Sequence, residues 1–159
     1  MLRVRIAPLS DGLHTDALAP TPEDLDLDPA AFSELALDVR LDVAAQRVML
    51  SYAVRAAIAR VCDRSAEPFV ERVEGRGTLV VVPPDAPLAA AAGDEGVLVV
   101  PEDEMTVDVT AHVRDTLLLA VPVRAVHPDF AEAEIPTRFG GPAAGEPADD
   151  RWDALRGLN

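Results

Sequence analysis

Lysine is absent from the 159 residues, cysteine occurs once, and aromatic residues make up only 4%. Each shortage excludes something. A single thiol cannot close an intrachain disulfide, and Cys62 has only His14, His112 and His127 beside it, so the usual clusters of zinc ligands are missing. No structural metal and no cofactor is expected. With so few aromatics, a core has to be assembled from Val, Leu, Ile and Ala. Apolar runs are short: Leu117 to Val121 and Leu79 to Val82 fall far below the roughly 20 residues of a membrane span. Met1 to Ile6 moves straight into alternation without a hydrophobic signal region, so the expected address is cytoplasmic.

Carboxylates are in excess. Asp and Glu number 28 against 14 basic residues, all arginine, for a net charge of -14. Charge of that sign repels nucleic acid at long range, so RNA contact needs a local arginine patch or a protein intermediary. Two readings stay open: solubility in a salt-rich cytoplasm, where self-repulsion is screened, or attraction of a basic partner.

A hydrophobic content of 49% supports one folded domain. Leu2, Val4 and Ile6 alternate with Arg3 and Arg5, as in an edge strand. Residues 7 to 30 carry Pro8, Gly12, Pro20, Pro22 and Pro29 and read as an excursion over the surface, with Leu25 and Leu27 able to lie along a sheet. Leu35, Leu37, Val39, Leu41 and Val43 form the clearest strand. Between residues 47 and 61, Leu50, Tyr52, Val54, Ala56 and Ile58 share one parity, yet Leu50, Val54, Ile58 and Val61 also satisfy a helical stripe. Residues 69 to 82 alternate again, with Gly75 and Gly77 allowing a bulge or close approach. Pro83 to Gly96 reads as a loop, Val97 to Val100 as a brief strand, and Pro101-Glu102-Asp103-Glu104 as an acidic turn. Val113, Leu117, Ala120 and Val121 line one face of a helix capped by Asp108 or Thr110 and ended by Pro122.

The pattern predicts an α+β fold: an antiparallel meander sheet, open or partly closed into a barrel, with one packed amphipathic helix and a short C-terminal helix. Residues 1–127 form the domain, 128–148 a flexible linker and 149–159 a helical motif whose stripe is Trp152, Leu155 and Leu158. That motif either docks back on its own sheet or enters a partner's groove.

No glycine-rich phosphate loop, nucleophile elbow or metalloprotease motif occurs. Cys62 reads as a small buried apolar residue unless distant groups assemble around it, and His112 and His127 lack ligand-spaced partners.

The corner Cys62-Asp63-Arg64-Ser65-Ala66-Glu67-Pro68-Phe69 resembles that of the YceD family, the large ribosomal RNA subunit accumulation proteins, which reads Cys-x-Arg-Cys-Leu-x-Pro-Phe. Val107 to Pro122 is similar to the family's aspartate-led helix ending in Leu-Pro, and Asp150-Arg151-Trp152-Asp153-Ala154-Leu155 to its terminal Asp-x-Arg-Trp-x-x-Leu. Many relatives carry a second cysteine where Ser65 stands and a cysteine cluster where this chain has His127-Pro128-Asp129-Phe130. A cysteine-bound metal therefore does not carry over. The resemblance implies a cytoplasmic, non-enzymatic factor supporting accumulation or processing of large-subunit ribosomal RNA. Its expected partner is a ribosomal protein or assembly factor, with ribosomal RNA itself as the variant; no membrane or small-molecule substrate is implied. The candidate contacts are Asp63, Arg64, Glu67 and Pro68 at the corner and Arg151, Trp152 and Leu155 in the tail. The alternatives are an enzyme with a dispersed site around Cys62 and a plain structural interaction module.

Overall fold

The computed structural model describes residues 1–44, 47–92 and 96–132. In chain order the elements are β1 (Arg3–Arg5), β2 (Gly12–Leu18), β3 (Phe32–Ala44), β4 (Arg47–Val61), β5 (Pro68–Val82), β6 (Val97–Val99), β7 (Thr106–Asp108) and α1 (Thr110–Ala120). Five strands form one sheet in the order β2-β3-β4-β5-β6, while β1 and β7 pair separately.

Alternation decides the three long strands. Leu35, Leu37, Val39 and Leu41 of β3, Leu50, Tyr52, Val54, Ala56 and Ile58 of β4, and Val73, Leu79 and Val81 of β5 are all buried. The register sets Leu41 opposite Leu50 and Leu50 opposite Leu79, so one face of the sheet is a continuous aliphatic surface. Withdrawing each such side chain from water is worth about 1.5–3 kcal/mol. On the opposite parity Asp38, Arg40, Asp42, Arg55 and Arg76 are exposed, while Ala57 and Val82 are buried. The helical stripe also visible between residues 47 and 61 loses to the strand. β4 has a pairing partner on each side, which satisfies its backbone N–H and C=O groups, and that tertiary context overrides the helical preference of its alanines.

The fold is α+β as expected, and the sheet remains open: β2 and β6 are its edges. Pairing is antiparallel except for β5 with β6, which is parallel. The C-terminal helical motif expected at 149–159 lies outside the described residues. Two strands escaped the sequence reading: the three-residue β7, which pairs with β1, and β2. β2 lies within the proline-rich stretch and pairs with β3 from Gly12–Val43 to Leu18–Leu37. As an edge strand it buries almost nothing, and Leu13 points its side chain into solvent at 54% exposure, so no alternation marks it. The stretch that follows is not a mere surface excursion either. Asp24 accepts hydrogen bonds from the backbone N–H and hydroxyl of Thr21, which shapes a short 3-10 turn at Pro22–Leu25. Leu25 then becomes fully buried, with Leu27 beside it.

α1 covers the apolar face through Val113 and Leu117, both fully buried. Asp108 Oδ1 accepts from the backbone N–H (2.9 Å) and hydroxyl (2.6 Å) of Thr110 at the helix start. The hydroxyl contact is the larger reason the Asp108 carboxyl is held below its usual pKa. Leu2 N–H donates to Thr110 Oγ1 (2.7 Å) and Val109 N–H to the Leu2 carbonyl (3.0 Å), which ties the first residues to the helix.

The helix rests directly on the backbone of β5. A Cβ at Gly75 would lie 2.8 Å from Thr116 Cγ2 and 2.9 Å from the Thr116 carbonyl oxygen. A Cβ at Gly77 would strike the ring of Tyr52, its cross-strand partner. The Tyr52 hydroxyl donates to the His112 carbonyl (3.2 Å) and shares a hydrogen bond with the Thr116 hydroxyl (2.8 Å). Gly75→Ala is expected to push the helix off the strand and lower stability by about 1–3 kcal/mol. Tyr52→Phe, which keeps the ring and removes two hydrogen bonds, is expected to lose about 1–2 kcal/mol. Urea titration of both variants measures this, and a Gly75→Ala protein as stable as wild type would show that the helix does not depend on that approach.

Candidate functional site

β4 and β5 turn into one another through Cys62 to Glu67. Cys62 N–H donates to the Glu67 carbonyl (2.8 Å) and Ala66 N–H to the Cys62 carbonyl (2.9 Å), with Ala66 in the left-handed region at φ 58°. Cys62 continues the inward parity of Ala56 and Ile58 and is only 2% exposed. Asp63, Arg64, Glu67 and Pro68 are exposed.

The segment after α1 is laced to this corner. Arg60 Nη1 donates to the Pro122 carbonyl (2.8 Å) while holding Glu71 (2.7 Å). Asp63 grips Ala125 twice: its N–H donates to the Ala125 carbonyl (2.7 Å), and its Oδ2 accepts from the Ala125 N–H (2.8 Å). His127 N–H donates to Cys62 Sγ (3.4 Å). Arg64 Nη1 donates to the carbonyls of Phe130 (2.7 Å) and Ala131 (3.1 Å). The His127 ring lies edge-to-face between Phe69 (5.4 Å) and Phe130 (5.9 Å).

Two of the candidate contacts thus shape the corner as well as facing solvent. Asp63 and Arg64 hold the segment from Ala125 to Ala131, whereas Glu67 contributes its carbonyl to the turn and Pro68 opens β5 opposite Val61. Arg151, Trp152 and Leu155 lie outside the described residues. Sequence reasoning missed the docking of 122–131, because Val-Pro-Val-Arg-Ala-Val-His-Pro has no period. The available signal was Ala125, a small residue between larger ones, which is buried at 4% exposure where it meets Asp63.

The thiol of Cys62 is lowered from 9.0 to about 7, first by the His127 N–H and then by the Ser65 hydroxyl, with desolvation opposing. The imidazole does not act on it as a base in this arrangement: the bond to Sγ comes from the His127 backbone, and ring Nδ1 accepts from Asp129 N–H (3.1 Å). Among the described residues no group of three or more His, Cys, Asp or Glu is placed to hold a metal ion, and no helix is long and apolar enough to cross a membrane. An open trough of about 750 Å³ lies away from the corner, on the outward face of the sheet between Arg40 and Arg76.

Removing the Asp63 carboxylate orphans the N–H of buried Ala125. Asp63→Ala is therefore expected to lose about 1–3 kcal/mol, while Asp63→Asn, whose amide oxygen still accepts, retains most of it. An Asp63→Ala protein as stable as wild type in chemical denaturation would show that the carboxylate does not clamp this segment. The lowered thiol pKa makes the folded protein release its proton before the unfolded chain does. Its contribution to stability is complete above the unfolded value near 9 and is lost as pH falls through about 7. Thiolate absorbance is expected to titrate near 7 in the folded protein and to move upward in Ser65→Ala; an ordinary cysteine midpoint in wild type would contradict the geometry.

Neither curated proteins nor solved structures give a match to this chain. The sequence model described as "Large ribosomal RNA subunit accumulation protein YceD" matches residues 50–159. That span opens within β4, contains the corner and α1, and takes in the terminal Arg151-Trp152. Covering well over half of the chain, and matching where the three motifs stand in order, it shows that this protein belongs to the YceD family.

Proposed function

We propose that the protein is a non-enzymatic cytoplasmic factor that supports accumulation or processing of large-subunit ribosomal RNA during ribosome assembly, and that it acts by holding a basic ribosomal protein or assembly factor. The observation that carries this is how its arginines are engaged. Arg3, Arg55, Arg60, Arg72, Arg76 and Arg114 each sit in an ion pair with a carboxylate of the same chain, and Arg64 is bound to backbone carbonyls. Binding to nucleic acid draws on cations that are not already neutralised, since displaced counterions supply most of the driving force. A chain of net charge -14 with seven of its eleven described guanidinium groups so occupied, and only Arg5, Arg40, Arg47 and Arg124 outside these contacts, favours a cationic protein over bare phosphate.

The contacts in this reading are the exposed corner, with Glu67 and Pro68 presented on a frame set by Asp63 and Arg64, and Arg151, Trp152 and Leu155. Residues 1–127 serve as the domain, 128–148 as a linker whose first residues are held at the corner, and 149–159 as a recognition motif. A dispersed enzymatic site around Cys62 has the lowered thiol in its favour and its burial against it.

Affinity capture at physiological ionic strength, with and without nuclease, tests the reading. Ribosomal material is expected to stay bound after nuclease treatment. Loss of that material would replace the protein partner with direct RNA binding. Ribosome profiles from cells lacking the protein are expected to show a selective deficit of large subunits, and normal profiles would overturn the assembly role itself.

A further inference from the structure

At the end of the sheet opposite the corner, the ends of β3, β4 and β5 and the chain segments before β2 and after β6 enclose a cleft of about 400 Å³ that no residue of α1 lines. Its interior is apolar. Val81 is buried, while Ile6, Leu9, Val43, Val48 and Val100 are half-buried side chains packed against the margin of the core. Its rim is charged: Asp11, Glu102 and Glu104 stand against one cation, Arg47. Glu104 pairs with Arg3 (3.7 Å), whereas Asp11 and Glu102 have no ion pair among the described residues. The acidic turn Pro101-Glu102-Asp103-Glu104 is thereby placed beside an opening into the aliphatic core.

We propose that this cleft receives one apolar side chain, aromatic or branched aliphatic, carried on a basic peptide segment of a protein partner. Cleft volume admits the anchor. At about 30 Å³ per water, 400 Å³ holds on the order of a dozen molecules in poor contact with aliphatic walls, and a large side chain entering the cleft displaces several of them with room to spare. Charge selects the flanks, because the carboxylate majority at the rim attracts lysine and arginine on either side of the anchor and repels an acidic segment. The basic character of the partner rests on the assembly reading above; the apolar anchor rests on the cleft alone.

Fluorescein-labelled peptides with one phenylalanine flanked by lysine and arginine, the same peptide with alanine at the anchor, and a glutamate-flanked version are titrated against the full chain by anisotropy. The phenylalanine peptide is expected to bind at least about tenfold tighter than the alanine one, the scale of withdrawing one large side chain from water, and the acidic version weakest. Ala44→Phe fills the mouth from an exposed position that lines the cleft and is expected to abolish the preference for phenylalanine. Glu102→Lys with Asp11→Lys is expected to weaken both basic peptides and leave the preference intact. Amide NMR shifts on the wild-type protein, which need no variant to fold, are expected to cluster at Ile6, Val43, Val48 and Val100. Equal binding of the phenylalanine and alanine peptides, or shifts elsewhere, would overturn the cleft assignment even if nuclease-resistant capture of ribosomal material persists. Conversely, a phenylalanine preference in a protein that captures nothing ribosomal would keep the cleft as a peptide site and remove the assembly role.

Discussion

The helix can lie on the sheet only because β5 offers bare backbone where it passes. A chain with 4% aromatic residues has little bulk with which to fill space between layers, so close packing has to come from close approach. Gly75 lets Thr116 settle onto the strand, and Gly77 leaves room for the one tyrosine, whose hydroxyl then grips His112 and Thr116 of the helix. Everything after the helix inherits that placement. Pro122 arrives where Arg60 can hold its carbonyl, Ala125 arrives beneath Asp63, and His127 arrives where its N–H meets the thiol of Cys62. The corner is therefore defined by helix packing as much as by its own turn residues.

What could be read from the chain follows from what leaves a period in it. β3 was legible because one face is buried and the other wet, which writes the burial pattern straight into the sequence. β4 was ambiguous because alanine at positions 53, 56, 57 and 59 fits either period, and only its two neighbours settle the matter. β2 was invisible, since an edge strand with both faces largely exposed has no hydrophobic signature to show. At the corner, the motif residues could be found by resemblance, but their engagement could not. Asp63, Arg64 and Cys62 bind backbone atoms of residues 122–131, and a backbone N–H or carbonyl carries no trace of its partner in the sequence.

Charge separates what this protein repels from what it attracts. The exposed ion pairs contribute about 0–1 kcal/mol each to stability and do not explain why every basic residue of the chain is arginine. Their effect on binding is larger. Pairing within the chain neutralises Arg55, Arg72 and Arg76 locally, while carboxylates such as Asp11 and Glu102 keep the net field negative.

The two ends of the β4–β5 hairpin then do different things. β4 runs 15 residues, about 45–50 Å at the rise of an extended strand, from the open cleft at Arg47 to the closed corner at Val61. At the corner Cys62, Asp63 and Ala66 are tied through their backbone N–H groups to Glu67, Ala125 and Cys62, which frames the exposed groups. At the cleft the core is left uncapped, with apolar carbon facing an opening instead of a helix. A partner engaging the cleft alone would meet its apolar anchor without disturbing the hydrogen bonds at the corner.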